Sequence, residues 1–375
     1  MCGIFGIVVT KDGLHNKDLI KTLSSDLAIL SESRGKESCG FAIRSASTNS
    51  IRVLKAAEPC SDLIRDPLYA GLFKPLNTKV EPMVLMGHSR LVTNGSHINP
   101  DNNQPFVKNG VVGIHNGIIV NDTEIWKNNP ELKRTSEVDT EAMLALMSRS
   151  VANGLSPAQG LKQVYETAYG TISTGQLFDN IPAFLLSTNN GSIYYVHNKK
   201  KGIFLFASES FIIDKLKEKA KYAGLFQQCE TRHLKPWKLI EFHLDTGNIR
   251  KVDLNNGVAT DEEGFFSEIE KIKIQVDVKA GSKHLRNSVV DLDLIRTNPN
   301  MAKEEAMMEY HIDPIKRLKR CKKCLLPETF PFMRFDDKGV CMICNNYVKK
   351  NQARPLSDLE KLVEPYRRPR GEQDC

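Results

Sequence analysis

The feature that most constrains the fold of this chain is a succession of short, β-branched apolar runs bounded by turn residues. Ile4–Val9, Gly40–Ile43, Val84–Gly87, Val111–His115, Ala183–Leu186, Ile193–His197, Ile203–Ala207 and Leu239–Leu244 each have the length and make-up of a strand. Helical periodicity enters between them. Leu19, Ile20, Leu23, Leu27 and Leu30 recur on one helical face, and Met143, Leu144 and Met147 do so after Asp139. Acidic Glu137, Asp139 and Glu141 crowd the start of that second helix, where the helix dipole favours negative charge. Many strands and few helices in one span must bury their faces as packed layers, so a layered α+β domain is expected up to about residue 255.

The rest of the chain differs. Residues 256–315 are polar, with one alternating stretch at Ile272–Val278 and a helical period near Met301–Tyr310, and read as a linker or irregular segment. Residues 316–348 carry four cysteines, and residues 349–375 form a charged tail too poor in apolar residues for its own core. The net charge of +7 is concentrated here: residues 311–375 hold 15 Lys/Arg against 9 Asp/Glu. With 41% hydrophobic and 26% charged residues, the 375-residue chain is neither disordered nor collagenous nor disulfide-dense. No apolar run approaches the ~18–20 residues of a membrane helix, and Ile4–Val9 is too short for a signal peptide. A cytoplasmic protein is expected.

Cys2 follows the initiator Met, and a small second residue permits removal of that Met. A chain beginning at Cys2 places a thiol and a free α-amine on one residue. The amine, with an ordinary pKa of ~7.7–8.0, can take the thiol proton directly or through water. Taken alone, Met-Cys fits equally well a small buried residue opening a strand. Its context is more specific. Cys2-Gly3-Ile4-Phe5-Gly6 is followed in order by Ser33-Arg34-Gly35-Lys36-Glu37-Ser38-Cys39-Gly40, His88-Ser89-Arg90-Leu91-Val92-Thr93-Asn94-Gly95, His115-Asn116-Gly117-Ile118-Ile119 and Ser136-Glu137-Val138-Asp139-Thr140-Glu141.

This ordered series resembles the class II, N-terminal-nucleophile glutamine amidotransferases over residues 2–255. The resemblance implies a four-layer αββα sandwich with Cys2 on an inner strand. It implies Cys2 as nucleophile, and the Asn116 side chain with the Gly117 N–H as donors to the tetrahedral oxyanion. Arg90 would clamp the glutamine α-carboxylate and Asp139 its ammonium, with Thr93 and Asn94 adding hydrogen bonds. Asn94 stands where aminosugar synthases usually carry His. Arg34 is expected to organise the loop around Cys2 through a salt bridge. His88 and His115 are expected as satisfied core histidines, and Cys39, Cys60 and Cys229 as reduced structural thiols.

Cys321-x2-Cys324 and Cys341-x2-Cys344, sixteen residues apart, are two knuckles that can supply four thiolates to a structural Zn²⁺. Phe335–Val340 reads as the hairpin turn between them. The surrounding residues, Arg320-Cys-Lys-Lys-Cys-Leu-Leu-Pro-Glu-Thr-Phe-Pro and Arg334-Phe-Asp-Asp-Lys-Gly-Val-Cys-Met-Ile-Cys, resemble the zinc ribbon opening the N-acetyl sugar amidotransferases, asparagine-synthetase relatives. That resemblance implies an ATP-pyrophosphatase synthetase domain, whose Ser-Gly-Gly-x-Asp-Ser loop does not occur in this sequence. No ATP site is therefore expected here, and a synthetase partner would act in trans. The leading expectation is a glutaminase feeding ammonia to sugar amidation. The alternatives are an asparagine-synthetase-like or nucleobase-modifying acceptor or, from another class, a zinc-ribbon nucleic-acid-binding protein.

Overall fold

Alternation along the strands sorts the apolar residues of the first unit into three layers. In β1 (Gly3–Val9), Phe5, Ile7 and Val9 join one cluster while Ile4 and Val8 join another. The computed structural model describes residues 2–10, 16–46, 48–76, 81–92, 95–226, 228–255, 266–279, 312–330, 333–347 and 355–367. It divides into two compact units, residues 1–289 and 290–375.

The remaining strands of the first unit are β2 (Ser38–Ser45), β3 (Ser50–Ala56), β4 (Met83–Arg90), β5 (Phe106–Lys108), β6 (Val111–Ile119) and β7 (Gly170–Phe178). They continue as β8 (Ala183–Thr188), β9 (Tyr194–Asn198), β10 (Ile203–Ala207), β11 (Arg232–His233), β12 (Lys238–His243), β13 (Ile249–Asp253) and β14 (Lys273–Lys279). One sheet has eight strands in the order β11-β9-β10-β1-β4-β2-β3-β14, the other six in the order β13-β12-β8-β7-β6-β5. The cluster holding Ile4, Val84, Met86, Val112, Ile114 and Phe184 draws on both sheets and is the layer between them.

Helices cover the two outer faces. Asn16 caps α1 (Lys17–Ser31) by accepting the Leu19 N–H at 2.8 Å, and its Ile20, Leu23 and Leu27 bury against Phe5 and Ile7. The short helices α2 (Cys60–Leu63), α3 (Pro67–Leu72) and α4 (Asp122–Asn128) come next in the chain, and on the other sheet α5 (Thr140–Ala152) and α6 (Pro157–Thr167) pack Met143, Met147, Leu161 and Val164 against Val111, Ile172 and Leu185. A Ser156–Gln159 capping box starts α6. The result is the αββα layering the resemblance implied.

Three features depart from the sequence reading. The expected boundary at residue 255 precedes β14, which pairs in parallel with β3 at the edge of the larger sheet, Val276 opposite Val53. The compact unit therefore extends beyond it, while the helical period at Met301–Tyr310 lies outside the described residues. Cys39 and Cys60, expected as reduced thiols, form a disulfide, because β2 and the short helix Cys60–Leu63 bring their Cα atoms to 5.1 Å. Cys229 is a free thiol, as expected. The charged tail holds a short helix, Leu356–Val363, with exposed leucines.

In the second unit the two knuckles face each other. Cys321 N–H donates to Leu326 O and Leu325 N–H to Cys321 O, with Leu325 at φ +62° making the tight turn. Asp336 and Val340 close the expected hairpin turn, with Gly339 at φ +76°. Among the described residues, only Cys321 and Cys341 supply buried apolar surface here.

Candidate active site

The face that each strand turns to the inter-sheet layer decides what meets near Cys2. Along β4, Val84 and Met86 point into that layer, so alternation sends His88 and Arg90 the same way. Val112 and Ile114 of β6 point into it from the other sheet, and Asn116 follows them. Cys2 enters β1 two residues before inward-facing Ile4. The Cys2 thiol donates to the Leu91 carbonyl at 3.4 Å, just past the end of β4. Burial pushes this thiol above its ordinary value, Arg90 pulls it back, and Asp139 adds to the rise.

Arg34 sits where a structural ion pair was expected. Its guanidinium pairs with Glu209, and Nε donates to the Cys2 carbonyl at 3.4 Å, fixing the backbone of the residue. Arg90 is 4% exposed, donating from Nη1 to Asn103 Oδ1 at 2.6 Å and from Nη2 to Gly95 O at 3.0 Å. Burial lowers its pKa, and Cys2 and Asp139 act against that. Asp139 immediately precedes α5 but makes no side-chain capping bond to it; its Oδ2 instead accepts the Ile119 N–H at 2.7 Å.

On β6, Asn116 is 1% exposed, and neither of its amide atoms has a hydrogen-bond partner among the described residues. Gly117 is required sterically: a Cβ there would lie 1.7 Å from the Thr171 carbonyl oxygen of neighbouring β7. Cys2, Arg90, Asn116, Gly117 and Asp139 therefore gather at one end of the inter-sheet layer, while Thr93 and Asn94 lie outside the described residues. His115 is the satisfied core histidine expected of it, with Nδ1 3.1 Å from Thr140 Oγ1 and Nε2 3.2 Å from Thr171 O. His88 is equally buried, and neither of its ring nitrogens makes a hydrogen bond of ordinary geometry among the described residues, although the ring lies beside the His115 backbone. Sequence reasoning missed Asn102, Asn103 and Gln104. Asn103 steers Arg90, Asn102 Nδ2 donates to Glu137 at 2.9 Å, and Gln104 accepts the His115 N–H at 2.6 Å. Three consecutive amides beside a motif were the available signal.

The four cysteine sulfurs of the second unit all lie within 4.8 Å of one another, an arrangement that could hold a metal ion. Cys324–Cys341 and Cys321–Cys344 stand at 3.6 and 3.9 Å. Backbone N–H groups of Lys323, Cys324 and Cys341 donate to Cys321 Sγ at 3.3, 3.5 and 3.2 Å. Burial opposes its ionisation, yet these donors bring the Cys321 thiol down to about 6.

Residues 88–215, the segment containing Arg90, Asn116, Gly117 and Asp139, match the family model described as a glutamine amidotransferase domain. The chain carries a class II domain of this kind, an enzyme domain. It is 27% identical over 214 residues to the glutamine–fructose-6-phosphate aminotransferase of Bacillus thuringiensis, covering 56% of this chain and 31% of that relative. With the protein of the same name from Sulfurisphaera tokodaii it shares 30% identity over 177 residues, covering 46% of this chain and 27% of that relative. The chain thus spans about a third of the length of the curated relatives it matches. A solved structure of an allosteric regulatory enzyme of purine biosynthesis shares the fold, at TM-score 0.50 and 17% identity, over 68% of this chain and 49% of that one. Among the described residues, no helix is long and apolar enough to cross a membrane.

Proposed function

We propose that this chain hydrolyses glutamine at Cys2 and supplies the ammonia to a synthetase. The observation that carries the reading is the buried Asn116 amide, unpartnered among the described residues on the strand facing Cys2. An uncommitted donor in a dry site is what a developing oxyanion needs. Cys2 Sγ attacks the side-chain carbonyl carbon of glutamine, and its proton passes through the Cys2 α-amine, freed by removal of Met1, to the departing ammonia. Water then attacks the γ-glutamyl thioester, releasing glutamate and restoring the thiol. Burial keeps the resting thiol protonated, so the base is needed. Arg90 holds the substrate carboxylate, Asp139 the ammonium, and Asn116 with the Gly117 N–H the oxyanion; Thr93 and Asn94 add hydrogen bonds. The glutamine in the names of these relatives supports the same substrate.

The four cysteines form a structural zinc ribbon in this reading. Zn–S bonds of ~2.3 Å in a tetrahedron give S–S edges of about 3.8 Å, and the two pairs at 3.6 and 3.9 Å fit that spacing. A filled four-thiolate shell leaves the metal no open position for chemistry. The synthetase is an ATP-pyrophosphatase-type domain or subunit acting in trans, and the acceptor a sugar of polysaccharide biosynthesis, both on the resemblance of the ribbon. Purified protein with a mass-verified Cys2 N-terminus should release ammonia and glutamate in equal amounts. Cys2→Ala should cut the rate at least about a thousandfold, and an unchanged rate would overturn the reading.

A further inference from the structure

Beside Cys2 lie two buried polar side chains, Asn116 and His88, 1% and 0% exposed, and neither has a hydrogen-bond partner among the described residues. Leaving a buried polar group unpaired is costly, so two such groups facing one layer call for a shared explanation. Both point into the inter-sheet layer, His88 from β4 after Val84 and Met86, Asn116 from β6 after Val112 and Ile114. The His88 ring lies close enough to the backbone of His115, the residue before Asn116, for a weak hydrogen bond there to act against the lowering of its pKa, though neither ring nitrogen meets ordinary hydrogen-bond geometry. On its own sheet His88 stands opposite Ile4, two residues from Cys2.

The chemistry of the two groups is complementary. Burial, helped by the Arg90 charge, pushes the His88 imidazole down to about 3. At neutral pH it therefore carries one N–H donor and one acceptor nitrogen. An amide that turns Nδ2 toward an oxyanion turns Oδ1 away from it, and a buried Oδ1 then needs a donor. Ser173, opposite Asn116 on β7, is engaged with Thr188 and Asn190.

We propose that His88 is a positioning residue for the Asn116 amide, its imidazole N–H holding Oδ1 directly or through one buried water and so directing Nδ2 at the oxyanion. The inference rests on the reading of Asn116 given above. A space-filling histidine would depend on volume alone; a positioning histidine depends on its donor.

The test uses the full chain with its processed N-terminus. His88→Phe keeps bulk without a donor, and His88→Gln keeps an N–H. His88→Phe should lower kcat for glutamine hydrolysis by about tenfold or more with KM within about twofold, and His88→Gln should recover most of that loss. A wild-type kcat in His88→Phe, or an equal loss in His88→Gln, would overturn the proposal. A second measurement does not depend on activity or on the phenylalanine variant folding. The side-chain amide NMR signal of Asn116, identified by its disappearance in Asn116→Asp, should move between wild type and His88→Gln. An unmoved signal also overturns the proposal. If the wild-type chain hydrolyses no glutamine, the function assigned above fails while the amide signal still decides the contact.

Discussion

Glu141 is fully buried one residue into α5 and accepts from the Lys108 ammonium at 2.5 Å. It also takes the N–H and hydroxyl of both Thr135 and Ser136 at 2.7–3.0 Å. This carboxylate ties down the loop that delivers Asp139. Removing one partner of a buried ion pair strands the other charge. Glu141→Ala should therefore cost about 3–5 kcal/mol of stability, read by urea unfolding, and a loss under about 1 kcal/mol would refute that. Burial works to raise the Glu141 carboxyl, but Lys108, Thr135 and Ser136 outweigh it and hold the group below its ordinary value. A carboxyl depressed by folding contributes stability that is present above its unfolded pKa of ~4.3. That share disappears as pH falls through the folded value. The acid limb of the wild-type stability curve should therefore be steeper than that of Glu141→Gln. At this scale the sequence singled out Cys2, Arg90, Asn116 and Asp139 as candidates, because each sits in a motif of chemically specific types. Asn103 was not legible, since its use depends on a long-range contact with Arg90.

The strands were read best where they are apolar on both faces. All eight of those sequence-read strands are present, and the two helical periods read within residues 2–255 became α1 and α5. β7, Gly-Thr-Ile-Ser-Thr-Gly-Gln-Leu-Phe, escaped notice because its small and polar residues give no continuous apolar run, yet it is an interior strand of the second sheet. The pairing of β6 with β7 also explains Gly117, whose neighbour Thr171 lies 54 residues further along the chain. Gly117→Ala should force the two strands apart, lowering stability by about 2 kcal/mol or more and glutamine hydrolysis with it. A variant that melts like wild type and retains full activity would contradict this packing. The Cys39–Cys60 disulfide was hidden for a similar reason: a spacing of 21 residues says nothing until β2 and the following helix are placed.

The two units of the molecule are stabilised by different physics. Three apolar layers hold the first, whereas the second buries little beyond Cys321 and Cys341 among its described residues and instead gathers four thiols. One zinc per chain is expected by metal analysis, falling sharply in Cys321→Ser. Chelation should abolish amide-exchange protection across residues 320–344, and protection that survives complete metal removal would dismiss the ribbon. The sequence by itself determined the strand-rich α+β class, the ordered motifs that single out Cys2 and its candidate partners, and the four-thiol cluster. These are local patterns of periodicity and residue type, and they need no knowledge of which strands meet. Only the tertiary structure decided that β14 completes an edge, that Asn103 steers Arg90, and that the strands of His88 and Asn116 turn those two buried side chains toward the same inter-sheet layer. Each of these depends on pairing between segments far apart in the chain, where packing between layers rather than neighbouring residue type sets the outcome.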